Sequence, residues 1–231
     1  MKKKLIIAID GPAGSGKSTT ARELAKRMKL PFIDTGAMYR AVTLKAFRQA
    51  IDFENTPALV RIARGAKVEL RGKDPFHQRV YLDGKEVTKA IRDPELTAKV
   101  VYAAREPQVR RVLVRLQRIM GKKGGAVMEG RDIGSVVFPN ADYKFYFDSD
   151  PQVRAKRRWK ELKAEGKNVP LARVLKEILH RDRTDRNRKE GALRVAKGAI
   201  RLDTTKLTIP ETADKMLAII GSARRPARSA R

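Results

Sequence analysis

Glycines, a lysine and a serine near the N-terminus have the spacing of a phosphate-binding loop. Gly11, Gly16, Lys17 and Ser18 match the pattern G-x-x-x-x-G-K-[ST]. In such a loop, backbone N–H groups surround a phosphate, the lysine reaches the β- and γ-phosphates, and the serine offers a hydroxyl to Mg²⁺. The motif therefore predicts nucleotide binding with Mg²⁺ as cofactor. The predicted nucleotide-binding residues, which become the ATP site in the function predicted below, are Gly11, Pro12, Ala13, Gly14, Ser15, Gly16, Lys17, Ser18 and Thr19, with Ser18 as the metal ligand.

Arginines at predicted loops or helix ends indicate which reaction such a loop serves. The loop alone does not distinguish a nucleoside triphosphatase, a motor and a kinase. Transfer of a phosphoryl group to another phosphate needs no strong general base, because the acceptor oxygen is already anionic; it needs positive charge and exclusion of water. For any single arginine, a solvated surface charge is the alternative. The candidates are Arg40, Arg110, Arg131, Arg181 and Arg188.

Five short apolar runs have the length and composition of strands that are buried on both faces of a sheet. Apolar residues at helical spacing follow the first two runs, at 17–28 and 37–50. The alternation of strands and helices predicts an α/β fold with a five-stranded parallel sheet flanked by helices. The predicted strands are 5–9, 30–33, 126–129, 144–147 and 199–202.

The middle of the chain interrupts this alternation. Residues 68–71 and 79–82 alternate apolar and polar side chains, and Asp83-Gly84 is a hairpin turn signal. We therefore expect a small antiparallel sheet inserted at about residues 66–90. Acidic residues followed by proline predict further helices, which begin at Pro94, Pro107 and Pro151, and the last of these ends near Gly166.

Composition excludes several classes of site. The 231 residues contain no cysteine and two histidines, which excludes disulfides, thiol catalysis and Cys/His zinc sites. The longest apolar runs have about five residues, against roughly 20 for a membrane span, so we expect a cytoplasmic protein without membrane contact. A net charge of +27 predicts anionic partners, which are nucleotides, nucleic acid or both. Residues 223–231 have four arginines and no acidic residue, and we predict a disordered basic tail there.

Four motifs together resemble the bacterial cytidylate kinases, a family of nucleoside monophosphate kinases. They lie at 11–19, 34–40, 129–139 and 181–188, and the resemblance runs from about residue 5 to 218. It implies an adenylate-kinase-like P-loop core, an enlarged CMP-binding region and a helical lid. The implied division assigns the core to 1–34, 105–150 and 175–222, the CMP-binding region with the inserted sheet to 35–104, and the lid to 151–174.

The resemblance also implies roles for individual side chains. Arg40, Arg131 and Arg181 grip the CMP phosphate, Arg110, Asp132 and Arg188 read the cytosine, and Asp185 contacts the pentose. Thr35 contributes a hydroxyl to the CMP site. In the basic helix after Asp150, Arg154, Arg157 and Arg158 approach the ATP phosphates. The implied catalytic residues are Lys17, Arg131, Arg157 and Arg181.

The chemistry of cytosine agrees with the role implied for Asp132. Cytosine has an amino donor at N4 beside acceptors at N3 and O2, which suits a carboxylate acceptor and an arginine donor. Uracil has the opposite pattern at positions 3 and 4, so the same pair would discriminate against it. The alternative is a structural salt bridge between Asp132 and either Arg131 or Arg188.

The sequence therefore predicts an enzyme that transfers the γ-phosphoryl group of ATP to CMP or dCMP, giving ADP and CDP or dCDP. We expect a monomer that does not require nucleic acid. The alternatives are a UMP or AMP kinase of the same fold and, from a different class, an RNA-associated P-loop NTPase or binding protein. The charge of +27 is the feature that favours this last alternative.

Overall fold

The computed structural model describes residues 5–222, so the predicted tail at 223–231 lies outside the described residues. Within these residues eight strands form two sheets, and five of the strands make one parallel sheet in the order β2-β6-β1-β7-β8. This confirms the predicted α/β fold with five parallel strands. The strands are β1 (Ile6–Asp10), β2 (Phe32–Asp34), β3 (Val68–Arg71), β4 (Arg79–Leu82), β5 (Lys85–Glu86), β6 (Ala126–Gly130), β7 (Tyr143–Asp148) and β8 (Ile200–Asp203).

Eight α-helices surround the sheets within the described residues. Three predicted helix starts are confirmed, because the side chains of Asp93, Glu106 and Asp150 accept hydrogen bonds from N–H groups of the first turn. The helices are α1 (Lys17–Met28), α2 (Thr35–Arg48), α3 (Thr56–Gly65), α4 (Pro94–Arg105), α5 (Pro107–Lys122), α6 (Pro151–Ala164), α7 (Leu171–Arg186) and α8 (Ile209–Ser222). None of them is long and apolar enough to cross a membrane.

The second predicted helix is displaced from its expected position. Residues 37–50 were the predicted range, whereas α2 begins two residues earlier. Asp34 ends β2 and also caps α2, because its Oδ1 accepts a hydrogen bond from the Ala37 N–H at 2.9 Å. A strand that passes directly into a helix leaves no loop between them. The Thr35 hydroxyl is thereby held at the carboxyl edge of the sheet.

Both faces of the parallel sheet are buried, as the continuous apolar runs predicted. Along β1, Ile7 and Ile9 pack with Leu24 of α1 in one apolar cluster, while Ala8 packs with Met38 of α2 in another. Alternate residues of a strand point to opposite faces, so this division places helices on both sides of the sheet. The carboxyl ends of β1 and β6 lie side by side, since Asp10 pairs with Gly130.

The predicted insertion forms an antiparallel sheet in the order β3-β4-β5. Asp83 and Gly84 both have positive φ, 50° and 82°, as the tight turn between β4 and β5 requires. The sheet is attached to α2 through Lys45, whose Nζ lies 2.7 Å from Asp83 Oδ2. Helices α6 and α7 pack against each other with an apolar cluster of their own, formed by Ala155, Leu162, Val174 and Ile178.

Candidate active site

The glycine-rich loop connects the carboxyl end of β1 to the first turn of α1. Gly14 and Gly16 have φ of 74° and 83°, in the left-handed region where glycine is unstrained. Lys17 is 5% exposed, and its Nζ donates a hydrogen bond to the Pro12 carbonyl at 3.1 Å. The loop backbone is therefore turned by its glycines, and the lysine is held against the loop; its contact with the ATP phosphates stays a prediction.

Glu129 at the end of β6 contacts the loop and was missed in the sequence analysis. Its Oε1 accepts a hydrogen bond from Ser18 Oγ at 2.6 Å, and its Oε2 lies 3.9 Å from Lys17 Nζ. The signal was present, because Glu129 follows a buried apolar run and ligands of parallel sheets bind at the carboxyl ends of strands. A hydroxyl beside a carboxylate is a donor set that suits Mg²⁺.

Lys17 is a buried cation among other cations. Burial, and then Arg131, lower the pKa of the Lys17 ammonium from 10.5 to about 7, although Glu129 opposes the shift. Nucleotide phosphates favour the charged form. Nucleotide binding should therefore return a proton to Lys17 whenever the pH lies above its pKa in the free protein.

Binding of ATP at pH 8 is expected to take up a proton. With a pKa of about 7, roughly 0.9 of the Lys17 side chains are neutral at pH 8 and about 0.1 at pH 6. The ATP phosphates are already ionised at pH 8 and release no proton. Calorimetric titrations in buffers of different ionisation enthalpy measure the uptake.

A Lys26→Met variant is the matched control for this titration, because Lys26 is an exposed cation on the same helix. It should keep the uptake of about one proton at pH 8. Absence of proton uptake at pH 8 would show that Lys17 is already charged there in the free protein, and would contradict the lowered pKa.

Arginines of three different elements come together beside the loop. Arg131 Nε donates to Asp185 Oδ2 at 2.6 Å, and Arg188 forms an ion pair with Asp185 Oδ1. Burial, followed by Arg131 and Arg40, lowers the pKa of the Arg181 guanidinium to about 9. Within residues 5–222, Arg40 and Arg181 have no carboxylate at ion-pair distance. The cluster thus has a surplus of positive charge, which an anion would neutralise.

Arg110 and Asp132 form a second, separate pair in the site. They are 3% and 6% exposed and make an ion pair with each other, while Arg110 Nη1 donates to Tyr39 OH at 3.2 Å. The salt bridge that was the alternative role of Asp132 is present, but its expected partners are wrong, because Arg131 and Arg188 contact Asp185 and Asp132 contacts Arg110. Burial raises the pKa of Asp132 against the opposing effect of Arg110.

Asp10, another residue missed from sequence, holds the segment that carries Arg131 and Asp132. Both of its carboxylate oxygens accept backbone hydrogen bonds, from Ile133 and Gly134, each at 2.8 Å. Burial raises the pKa of Asp10 to about 7, although these two hydrogen bonds lower it. The strand that ends in the phosphate-binding loop is thereby connected to the segment that carries the arginine.

Other expected site residues contact protein groups in this structure. Thr35 is buried, and its Oγ1 donates to the Glu129 carbonyl at 2.7 Å. Arg157 Nη2 donates to the Thr204 carbonyl at 2.6 Å, so this arginine contacts the loop before α8. Arg154 was expected to approach the ATP phosphates, but it is 1% exposed and all three of its nitrogens donate to protein oxygens. Arg158 is an exposed partner of Glu161.

Comparisons with known proteins agree with this geometry. The family model described as cytidylate kinase matches residues 7–222. A cytidylate kinase from Caldanaerobacter subterraneus subsp. tengcongensis is 45% identical over 210 residues, which are 91% of this chain and 92% of that protein. A cytidylate kinase from Chloroherpeton thalassium is 48% identical over 218 residues, with 91% of each chain covered.

A solved structure supports the fold alone. The crystal structure of an uncharacterized protein from Eubacterium ventriosum is 15% identical, has a TM-score of 0.52, and covers 95% of this chain and 99% of that chain. The family assignment rests instead on the match over residues 7–222 and on relatives that are 45% and 48% identical over nearly their whole length. This chain belongs to the cytidylate kinase family.

Proposed function

We propose that this protein transfers the γ-phosphoryl group of ATP to CMP or dCMP, giving ADP and CDP or dCDP. The observation that carries the proposal is a surplus of arginine charge that lies near both Lys17 of the phosphate-binding loop and the buried Arg110–Asp132 pair. The phosphate-binding loop would hold the phosphates of ATP, and the arginine cluster would hold the phosphate of the acceptor. The Arg110–Asp132 pair would bind the base of the acceptor.

The reaction on this proposal requires no proton abstraction by the protein. The acceptor oxygen belongs to an ionised phosphate, so the protein has to neutralise charge and align the two phosphates. Lys17 would interact with the β- and γ-phosphates of ATP, while Arg40, Arg131 and Arg181 would hold the phosphate of CMP. Arg157 would complete the donor side, after exchanging the Thr204 carbonyl for a phosphate oxygen.

Mg²⁺ fits the donor side of the site. The neighbouring oxygens of Ser18 and Glu129 would hold it together with the ATP phosphates and water, because Mg²⁺ usually binds few carboxylates and keeps oxygen ligands from its substrate. Within residues 5–222, no group of three or more His, Cys, Asp or Glu side chains is assembled for a metal. When bound, the ion supplies positive charge to the β- and γ-phosphates.

The Arg110–Asp132 pair supports cytosine as the base. A carboxylate oxygen and a guanidinium N–H side by side offer an acceptor and a donor, which match N4 and N3 of cytosine. Arg188 forms an ion pair with Asp185 and lies close to Arg110. This position supports a role for Arg188 in binding the nucleoside together with the Arg110–Asp132 pair. Asp185 would contact the pentose from the same place.

The test of the proposal is the formation of ADP with different acceptors. CMP and dCMP should be used with much higher kcat/KM than UMP and AMP, and RNA should neither stimulate ADP formation nor act as an acceptor. Preferential use of UMP or AMP would assign another monophosphate kinase. ADP formation that depends on RNA would assign an RNA-associated NTPase. A cytoplasmic location and a monomeric state stay predictions.

Asp132→Asn is expected to reduce the preference for CMP over UMP by about tenfold or more. The amide keeps the shape but loses the charge-assisted hydrogen bond to N4, which is worth roughly 1.5 to 3 kcal/mol. UMP use should fall less, because the amide can donate to O4 of uracil. Steady-state kcat/KM values for both monophosphates give this ratio.

Arg131→Met is the control for Asp132→Asn, because Arg131 is proposed to hold the phosphate, which is the same in CMP and UMP. It should lower kcat/KM for both by the same factor, so that the CMP-to-UMP ratio stays constant. An Asp132→Asn variant that also leaves the ratio unchanged would show that Asp132 is structural, and the account of cytosine recognition would be wrong.

A further inference from the structure

Arg154, in the first turn of α6, is the largest side chain that the fold buries completely. It is 1% exposed, and each of its three nitrogens contacts a different element. Nε donates to the Ser149 carbonyl at 2.9 Å, Nη1 to the Ala13 carbonyl at 3.1 Å, and Nη2 to Asp182 Oδ2 at 2.6 Å. One planar guanidinium therefore joins the end of β7, the phosphate-binding loop and α7.

The contact with the loop is close. A Cβ added at Gly14 would lie 3.2 Å from both Cβ and the carbonyl oxygen of Arg154. Gly14 has a φ of 74°, so the loop makes a left-handed turn directly against the first turn of α6. Together with the hydrogen bond to Ala13, this contact fixes the loop backbone at the position where the donor phosphates would be held.

Asp182, the partner of Arg154, follows Arg181 directly on α7. It is 5% exposed, and its Oδ1 has no hydrogen-bond partner within the described residues. Its charge contributes to the raised pKa of Arg131, so it lies close to the arginine cluster. The turn of α7 that Arg154 holds is therefore the turn from which Arg181 and Asp185 extend into the site.

Stability does not explain why the fold keeps this pair. Desolvation of two charges offsets most of their attraction, and apolar side chains of similar volume often stabilise a buried site as well or better. A guanidinium differs from an apolar side chain in directing several donors along fixed directions in one plane. A buried pair of this kind is therefore better suited to holding elements in a fixed relative position than to adding stability.

We propose that Arg154 and Asp182 are a positioning pair, which fixes the phosphate-binding loop relative to the α7 turn that carries Arg181. The inference rests on the proposed function, in which the loop holds the donor phosphate and Arg181 the acceptor phosphate. Neither residue of the pair contacts substrate in this account. Its effect should therefore be on kcat, because small errors in the alignment of two reactants slow the reaction strongly.

The first test is Asp182→Asn, which keeps the shape and one acceptor oxygen but removes the charge. We expect kcat to fall about tenfold, while KM for ATP and for CMP each change less than about threefold. Glu177→Gln is the matched control, because Glu177 forms an exposed ion pair with Arg173 on the same helix. It should leave kcat at the wild-type value.

The double variant Arg154→Met/Asp182→Leu separates positioning from stability. It removes both charges, so no unpaired ion stays buried, and its midpoint of thermal unfolding should lie above that of the single variant Arg154→Met. On our proposal kcat stays about tenfold or more below the wild type despite the recovered stability. Wild-type kcat in this folded variant would overturn the proposal, and so would an Asp182→Asn variant that changes KM alone.

The wild-type acceptor panel keeps this inference distinct from the proposed function. If the wild type prefers UMP or AMP, the assignment of cytosine fails, but the effect on kcat is still measured with the preferred acceptor. If the wild type transfers phosphate to no monophosphate, Arg154 and Asp182 have no acceptor to align, and the inference is overturned as well.

Discussion

Lys17→Ala is expected to lower kcat by about 10³-fold, which is the upper end for removal of one transition-state contact in an active site. The residue is 5% exposed, and its ammonium donates to the Pro12 carbonyl of the loop, so the truncated side chain leaves no cation at this position. Charge that develops on the transferring phosphoryl group would lose its nearest cation. Affinity for CMP should change less than about twofold, since the acceptor phosphate is held by the arginine cluster.

Single-turnover rates with ATP and CMP, together with calorimetric CMP binding, measure this effect. Lys26→Ala is the control, because it removes an exposed cation from the same helix and should leave both quantities unchanged. A Lys17→Ala variant with more than about one tenth of wild-type turnover at saturating substrates would contradict the assignment of the loop.

The strands were the part of the fold most open to sequence-based prediction. A parallel strand buried on both faces is a short continuous apolar run, and each of the five runs became a strand within about two residues. Helices α4, α5 and α6 were predicted from an acidic residue followed by proline. Helix α3, which was not among the predicted helices, has a related signal, because Asn55 caps it and a proline stands in its first turn.

The candidate arginines and aspartates could be selected from the sequence, whereas the pairs that they form could not. Motifs select these candidates because they fix residue types at defined spacings. They do not say that Arg131 contacts Asp185 while Arg110 contacts Asp132. That choice depends on how the segment after β6 packs, and Asp10 fixes this packing from a strand more than 120 positions away in sequence.

Arg154 shows the same limit for a single residue. A basic side chain at the start of a basic helix is of the type that binds phosphate. The structure buries Arg154 where Ser149, Ala13 and Asp182 provide an acceptor oxygen for each of its three nitrogens. No local pattern reveals that these three residues meet, since they lie on different elements.

Arg181→Met is expected to lower kcat/KM for CMP by about 10²-fold to 10³-fold and to make the free protein more stable. The two effects have opposite signs for one reason. Within the described part of the chain, Arg181 is a cation close to Arg131 and Arg40 without a carboxylate of its own, and burial lowers its pKa to about 9. Before an anion binds, the charge is destabilising; once the CMP phosphate is bound, the same charge would be stabilising.

The sign of the stability change follows from linkage. A guanidinium whose pKa is lowered on folding costs stability at every pH at which it stays protonated in the folded state, which includes pH 7. Removal of that cost should raise the midpoint of thermal unfolding by about 2–4 °C, the shift that corresponds to about 1 kcal/mol in a domain of this size. Addition of CMP should stabilise the wild type and fail to stabilise the variant.

Arg183→Met is the matched control, because Arg183 is exposed two residues further along α7. It removes the same net charge from the same helix, so any effect of overall charge appears in both variants. Thermal unfolding without nucleotide, repeated with CMP, compares the two. If Arg181→Met lowers the midpoint without nucleotide, its guanidinium is a structural contact, and the surplus of positive charge is not what prepares the site for a phosphate. If the midpoint rises and CMP no longer protects, the unbalanced charge of Arg181 is the feature that binds the acceptor.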